Sequence, residues 1–179
     1  MKTLNGYINE ALIKKDTKIS PYKYFPKDKY ALRLLLSQLL KERGSDADLN
    51  DIDTSTITNM SYLFDDLDPG NIDISEWDVS QVENMSYMFF VCENFNCDLS
   101  KWNVSKVENM SRMFYNCTNF KSDLSRWNVS KVKDMNRMFC NCTNFESDLS
   151  SWKVNKVTNM EQMFRACYSL TNKPSWYKK

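Results

Sequence analysis

Four cysteines recur at intervals of 25 residues and are the side chains best placed to do chemistry, since thiolates bind zinc or act as nucleophiles. Zinc sites use Cys-x-x-Cys spacing or pair cysteine with histidine, and this sequence has neither. We therefore predict no metal and no cofactor, and we interpret the four as small, buried core residues. Two further cysteines, Cys97 and Cys140, lie outside the series and are predicted to be exposed. The series is Cys92, Cys117, Cys142 and Cys167.

Aspartates recur at the same interval, each followed two residues later by a serine. A column of carboxylates could bind calcium, which prefers oxygen ligands. Calcium-binding repeats supply several carboxylates and glycines per turn, whereas each unit here offers one such aspartate and no glycine. Hydrogen bonding of each carboxylate to its own turn is therefore favoured, with calcium binding as the alternative. The aspartates are Asp73, Asp98, Asp123 and Asp148.

The complete absence of histidine restricts the catalytic chemistry that the chain can perform. Without histidine, Ser-His-Asp and Cys-His catalysis are excluded within one chain, and the usual general base at neutral pH is missing. A Ser/Lys or paired-carboxylate site stays open, but no unit departs from the repeat as a grafted catalytic site would require. We predict that the protein is not an enzyme.

The elements that position these residues follow from a 25-residue period. Five units are expected, at 48–72, 73–97, 98–122, 123–147 and 148–172, the first of them degraded. Such a period is typical of stacked repeats that share one core. The repeated apolar positions are Trp77, Trp102, Trp127 and Trp152; Met60, Met85, Met110, Met135 and Met160; and Phe64, Phe89, Phe114, Phe139 and Phe164.

Within one unit, Met110, Met113, Phe114 and Cys117 follow the spacing of one face of a helix, and Asn109 stands where an N-cap belongs. The apolar residues upstream indicate a short extended stretch. We therefore predict an α/β fold: a short right-handed solenoid of five strand–turn–helix repeats, leucine-rich-repeat-like, with an N-terminal helical cap.

Three further segments flank the repeats. Residues 1–19 are predicted to form an amphipathic leader helix, and residues 20–47 an N-terminal cap. The cap combines a short strand at 22–25 with a helix from about Lys29 to Arg43, capped by Asp28 and Gly44. Residues 173–179 form a tail that we expect to fold over the last repeat. The cap helix is predicted to bury Ala31, Leu34, Leu35, Leu39 and Leu40.

The repeat resembles a known family. The run from Asp98 to Cys117, Asp-Leu-Ser-x-Trp-Asn-Val-Ser-x-Val-x-Asn-Met-Ser-x-Met-Phe-x-x-Cys, is similar to the BspA-like repeat of bacterial surface proteins and mycoplasma lipoproteins, which also occurs in viruses of gut bacteria. The resemblance covers about two-thirds of the chain. It implies a leucine-rich-repeat-like binding protein rather than an enzyme.

The leader has a weaker resemblance to capsid-targeting peptides on internal head proteins of tailed phages. In those proteins a protease cuts after a Leu/Ile-x-Glu triplet. That resemblance makes Ile8, Glu10 and Ala11 candidate processing residues, with the cut before Ala11. It implies an alternative function, a packaged phage protein delivered to the host.

Positions that vary between units identify the surface that is free for binding. Arginine and aromatic residues, which are enriched in protein interfaces, occupy several of them. We predict a protein-binding module of phage or bacterial origin, with a purely structural spacer as a further alternative. The candidate partner contacts are Tyr87, Phe90, Arg112, Tyr115, Arg137 and Arg165.

Charge and hydropathy bear on other partners and on location. The net charge is +1, with 24 basic and 23 acidic residues, so nucleic acid is not the predicted partner despite a ladder of Lys106, Lys131 and Lys156. No apolar run is long enough to span a membrane, and the N-terminus lacks the apolar core of a signal peptide. The expected location is the cytoplasm of a host or infected cell, or the inside of a virion.

Overall fold

The structure, a computed structural model, describes residues 20–67 and 69–178. Its first regular element, α1, spans Lys29–Arg43. The Asp28 carboxylate caps α1 by accepting the N–H groups of Tyr30 and Ala31, each at 2.9 Å. Gly44 ends it with a φ of 84°, in the left-handed region. The predicted helix and both of its caps are thus confirmed.

One face of α1 joins the apolar core of the repeats, but the predicted face was partly wrong. Leu34 was expected to be buried and is 42% exposed. The buried residues of α1 lie at i, i+3, i+4 and i+7 counted from Leu32, and Leu34 lies outside that face of the helix. Ala31 and Leu40 pack only partly against the core. The buried residues of α1 are Leu32, Leu35, Leu36 and Leu39.

The segments on either side of α1 differ from expectation or fall outside the structure. The strand predicted at 22–25 is wrong, because only a single parallel bridge, between Tyr24 and Ile52, forms there. The predicted leader helix at 1–19, with the candidate processing residues Ile8, Glu10 and Ala11, lies outside the described residues. None of the helices in the described ranges has the length and apolar character needed to cross a bilayer.

The α/β solenoid of strand–turn–helix repeats is contradicted by the structure. Within 20–67 and 69–178, α1 is the one helix, and no strand or sheet forms. Each 25-residue repeat is instead a run of tight turns that forms one layer of a stack. Neighbouring layers meet in isolated parallel bridges, such as those that Asn109 makes with Asn84 and with Asp134.

The backbone explains why no helix forms where helical spacing predicted one. In the layer 98–122, the residues Arg112 and Asn116 have φ values of 53° and 60°, in the left-handed region, and every other layer repeats this at the matching positions. Two left-handed residues, four positions apart in each layer, interrupt a right-handed helix. The methionine and phenylalanine positions are buried in either conformation, so their spacing did not distinguish the two.

The backbone hydrogen bonds divide between turns and layers. Alternate N–H groups close turns, as Tyr115 N–H does on Arg112 O at 3.2 Å. The N–H groups between them donate to the next layer, as Phe114 does to Met138 O and Asn116 to Cys140 O, both at 2.9 Å. Buried amide groups are therefore paired without any helix or sheet.

Side-chain caps fix the corners of each layer. The Asp98 carboxylate accepts the N–H of Ser100 at 2.9 Å, and Asp73 accepts both the N–H and the hydroxyl of Ser75 at 3.0 and 2.7 Å. Asn109 accepts the N–H of Ser111 at 2.9 Å. The predicted turn-capping role of the aspartates is confirmed, whereas the asparagine caps a turn rather than a helix.

Phenylalanine rings form the centre of the stack. Rings one repeat apart lie nearly parallel, with centroids 5.5 Å apart for Phe89 and Phe114 and 5.6 Å apart for Phe114 and Phe139. A second column stacks beside the first, with Phe120 4.1 Å from Phe114. This close spacing, about half that of packed helices, is possible because each layer is only one chain thick.

Tryptophan and cysteine tie each layer to the preceding one. The indole N–H of Trp127 donates to Leu99 O at 3.0 Å. The thiol of Cys117 donates to Phe89 O at 2.9 Å. Both types were predicted as core residues, which burial confirms, but each also satisfies a buried carbonyl 28 residues earlier in the chain.

Trp127→Phe is expected to destabilise the protein by about 0.5–1.5 kcal/mol, because the buried Leu99 carbonyl loses its indole donor and keeps only the N–H of Trp102, at 3.1 Å. Denaturant unfolding would measure the change. The control is Trp176→Phe, which removes the same kind of bond, to Leu149 O, at the half-buried end of the stack where water can replace it. Equal losses for the two variants would contradict a role for the buried bond.

The two ends of the stack are closed differently. In the first repeat Ile52 stands at the tryptophan position, and its backbone meets Tyr24. At the other end Trp176 stacks on Trp152, and Tyr177 contacts Phe164 edge-on. The tail therefore covers the last repeat, as predicted.

A candidate partner-binding face

The six predicted contact residues lie in two adjacent columns of the stack. One column passes through Tyr87, Arg112 and Arg137, and the other through Phe90, Tyr115 and Arg165. All six are half-buried or exposed, although each directly follows a buried residue. With two further residues, Tyr62 and Gln162, we call this surface the aromatic–arginine face: Tyr62, Tyr87, Phe90, Arg112, Tyr115, Arg137, Gln162 and Arg165.

The left-handed corner of each layer places the first column at the surface. Tyr87, Arg112, Arg137 and Gln162 have φ values between 52° and 57°. Non-glycine residues adopt this conformation at a cost, and here the ladder of hydrogen bonds between layers holds them in it. The column is therefore set by the backbone rather than by side-chain packing.

The half of the face nearer α1 is aromatic. Tyr62 and Tyr87 are stacked with centroids 4.4 Å apart and planes 12° from parallel. Phe90 lies 5.3 Å from Tyr87 and 5.1 Å from Tyr115, which joins the two columns into one cluster. Arg33 of α1 donates to the backbone carbonyl of Tyr62 at 2.7 Å, so α1 buttresses this half.

The other half of the face carries three arginines. Arg112 lies over the ring of Tyr87 at 5.2 Å and donates to its hydroxyl group. The Arg137 Nε donates to Gln162 Oε1 at 3.2 Å, and Arg165 donates to the same oxygen at 3.4 Å. The three guanidinium groups are therefore held by neutral acceptors.

Cys140 lies among these arginines, and its burial differs from the sequence prediction. It was predicted to be exposed and is buried, as is Cys97. Burial raises the pKa of the Cys140 thiol, and the charges of Arg165, Arg137 and Arg112 oppose that rise. The equivalent positions in the neighbouring layers carry aromatic or charged residues, so the spacing of Cys140 in the sequence did not indicate that it is buried.

Tyr62 is the residue of the face that the sequence did not suggest. It belongs to the degraded first repeat, which carries isoleucine and leucine where later units have tryptophan and cysteine. Its position, one 25-residue period before Tyr87, could have assigned it to the face. Gln162 occupies the same column and is the acceptor shared by two arginines.

The lysine ladder and a metal site were the other candidates that the sequence raised. Lys106 donates to the neutral amide of Gln81 at 2.5 Å, and Lys133 forms an ion pair with Glu108 at 2.6 Å, so the charge of the lysine side of the stack is only partly neutralised. No cluster of three or more His, Cys, Asp or Glu that could hold a metal ion occurs in the described residues.

Four buried thiols away from the aromatic–arginine face have raised pKa values. Burial raises the pKa of Cys97 to about 11 and of Cys167 to about 12, and those of Cys117 and Cys142 are raised as well. A nucleophilic or metal-binding thiolate requires the opposite shift. The cysteine series therefore acts in packing and hydrogen bonding.

The comparisons agree with the repeat architecture. A family model described as "Mycoplasma protein of unknown function, DUF285" matches residues 35–134 and again residues 101–178. The two matches overlap, because the internal period lets the same model fit in two registers. No curated protein and no solved structure matches the chain.

Proposed function

Since the chain belongs to the DUF285 family, whose function is unknown, we propose a function from its own geometry: it is a non-enzymatic protein-binding module. The aromatic–arginine face is the surface that contacts the partner. A single observation carries the proposal. Half-exposed tyrosine, phenylalanine and arginine side chains cluster on one side of the stack, whereas the remaining repeated positions serve the fold.

The composition and order of the face both support binding. Tyrosine and arginine are enriched among residues that dominate binding energies. Their side chains are held in place before binding, by ring stacking at 4.4 Å for Tyr62 and Tyr87 and by the hydrogen bonds of Arg137 and Arg165 to Gln162. Preorganised side chains lose little conformational entropy on association, which favours affinity.

The remaining surface offers less to a protein partner. On the aspartate side, the Asp98 and Asp123 carboxylates cap their own turns, and on the lysine side Lys106 bonds to Gln81 and Lys133 to Glu108. The resemblance of the repeat to BspA-like repeats of bacterial surface proteins is consistent with a binding function. Six free cysteines favour a reducing compartment for the folded protein.

A displayed library of random peptides tests the proposal without a known partner. The purified protein should enrich a set of peptides whose affinity falls at least about tenfold in the double variant Tyr87→Gln/Tyr115→Gln. Glutamine is suitable at position 87 because Gln162 already occupies the equivalent left-handed corner.

The matched control is Tyr30→Gln/Tyr168→Gln, which makes the same change at two highly exposed tyrosines outside the face. This control should bind the enriched peptides as the unaltered protein does. Failure to enrich any peptide, or equal loss in both double variants, would refute the proposal; melting curves of both variants exclude unfolding as the cause.

A further inference from the structure

The charges of the aromatic–arginine face lack the ion-pair partners that four basic residues have elsewhere in the described part of the chain. Arg43 pairs with Asp51 at 2.9 Å, Lys101 with Glu76 at 2.6 Å and Lys133 with Glu108 at 2.6 Å. Within residues 20–67 and 69–178, by contrast, no carboxylate lies within ion-pair distance of the face arginines, Arg112, Arg137 and Arg165.

The hydrogen bonds that hold these arginines leave most of their donors free. A guanidinium group has five N–H donors, and the described contacts of each arginine to Tyr87 or Gln162 use a small part of them. The acceptors are a hydroxyl and an amide oxygen, which orient the groups without neutralising their charge. The fork geometry needed to bind a carboxylate through two parallel bonds therefore stays available.

The three charges also converge in space. All three act on the thiol of the buried Cys140, although Arg112 and Arg165 belong to layers on opposite sides of it. Arg137 and Arg165 share one oxygen of Gln162, at 3.2 and 3.4 Å. Like charges held this close repel one another, and an anionic partner relieves that repulsion.

The aromatic half of the face distinguishes a protein partner from a nucleic acid. Bases bind aromatic side chains by stacking on their faces. Here one face of each ring is already used, since Tyr62 stacks on Tyr87 at 4.4 Å and Phe90 stacks on Tyr115 at 5.1 Å. What such a stack offers outward is ring edges and hydroxyl groups, and ring edges carry partial positive charge.

We infer that the partner is an acidic polypeptide segment. Its carboxylates bind Arg112, Arg137 and Arg165, and its flanking side chains lie along the ring edges of Tyr87 and Tyr115. This inference rests on the proposed function and adds the chemical class of the partner. Binding of this kind weakens as salt concentration rises.

Labelled oligoglutamate, oligolysine of the same length and oligothymidylate are the probes of the test. The triple variant Arg112→Gln/Arg137→Gln/Arg165→Gln should lose at least about tenfold in affinity for oligoglutamate. The control, Lys106→Gln/Lys131→Gln/Lys156→Gln, removes the same three charges from the lysine ladder and should change affinity less than about twofold. The unaltered protein should release oligoglutamate as salt is added and should not bind oligolysine.

The outcomes separate this inference from the proposed function. Equal losses in the two triple variants, or oligothymidylate binding as tightly as oligoglutamate, would overturn it. It is also overturned if the peptide library yields neutral or basic sequences whose binding depends on Tyr87 and Tyr115, although the proposed function would then stand. A library that yields no binding sequence would refute both this inference and the proposed function.

Discussion

Replacing Phe114 by alanine is expected to lower the free energy of unfolding by about 3–5 kcal/mol. Its side chain is fully buried in the central layer, between Phe89 and Phe139, with ring centroids 5.5 and 5.6 Å away. Phe120 lies 4.1 Å from it in the second column. The cavity would open in the middle of a continuous column of rings, where layers fixed by hydrogen bonds cannot close around it.

Denaturant unfolding followed by tryptophan fluorescence measures this loss. The control is Tyr115→Ala at the next residue, which is half-buried on the aromatic–arginine face and is expected to cost less than about 1.5 kcal/mol. A loss for Phe114→Ala no greater than that of the control would contradict a core built on the ring column.

Phe164→Ala extends the same test to the end of the stack. Phe164 has one phenylalanine neighbour in its column, Phe139 at 5.8 Å, and is otherwise covered by Trp176 and Tyr177 of the tail. In repeat proteins stability is close to a sum of contributions from individual repeats and their interfaces. We therefore expect a smaller loss than for Phe114→Ala, with unfolding that begins in the last layer.

The sequence was sufficient to identify which repeated positions of the 25-residue unit fill the core. A constant period means that equivalent residues occupy equivalent environments, so Trp127, Phe114 and Cys117 could be assigned to the interior from repetition and polarity alone. The same reasoning placed Asp98 at a turn, because a single carboxylate followed by serine is typical of side-chain capping.

The backbone conformation of the repeat could not be predicted in the same way. Burial at i, i+3, i+4 and i+7 fits a helix and also fits successive tight turns. The residues at the left-handed corners include Tyr87, Arg112 and Arg137, none of which is a glycine or asparagine that signals such a turn. At the second corner, four residues on, Asp66, Asn116 and Asn141 gave a local indication.

The candidate site was predictable in its columns but not in its contacts. Tyr87 and Arg112 are one period apart, so their proximity followed from stacking. The neighbouring column, with Phe90 and Tyr115, was expected on a helix surface, and its packing against Tyr87 depends on the turn geometry instead. The lack of carboxylates beside the arginines is a three-dimensional property that no spacing reveals.

Alkaline pH is expected to destabilise the protein strongly through its buried thiols. In the unfolded chain a cysteine ionises near its usual pKa of 9.0, whereas burial raises the pKa of Cys167 to about 12 and raises those of Cys117 and Cys142 as well. Above pH 9 the unfolded state releases protons that the folded state keeps. The stabilisation is therefore complete below pH 9 and is lost as pH rises toward the folded pKa values.

A thiol whose folded pKa is near 12, such as Cys167, loses about 1.4 kcal/mol of stabilisation by pH 10, and Cys117 and Cys142 add to that loss. Cys97, with its pKa raised to about 11, acts in the same direction. The measurement is the free energy of unfolding between pH 8 and pH 10 in the presence of a reductant.

The control variant is Cys117→Ala/Cys142→Ala. It should be less stable at neutral pH, because Phe89 O and Phe114 O lose their thiol donors, and yet its stability should fall less at alkaline pH. Loss of the two ionisable thiols should lower the stability at neutral pH and also reduce the further loss of stability between pH 8 and pH 10. A free energy of unfolding that stays constant up to pH 10 would contradict this prediction. A pH dependence in the double variant as steep as in the unaltered protein would contradict it as well.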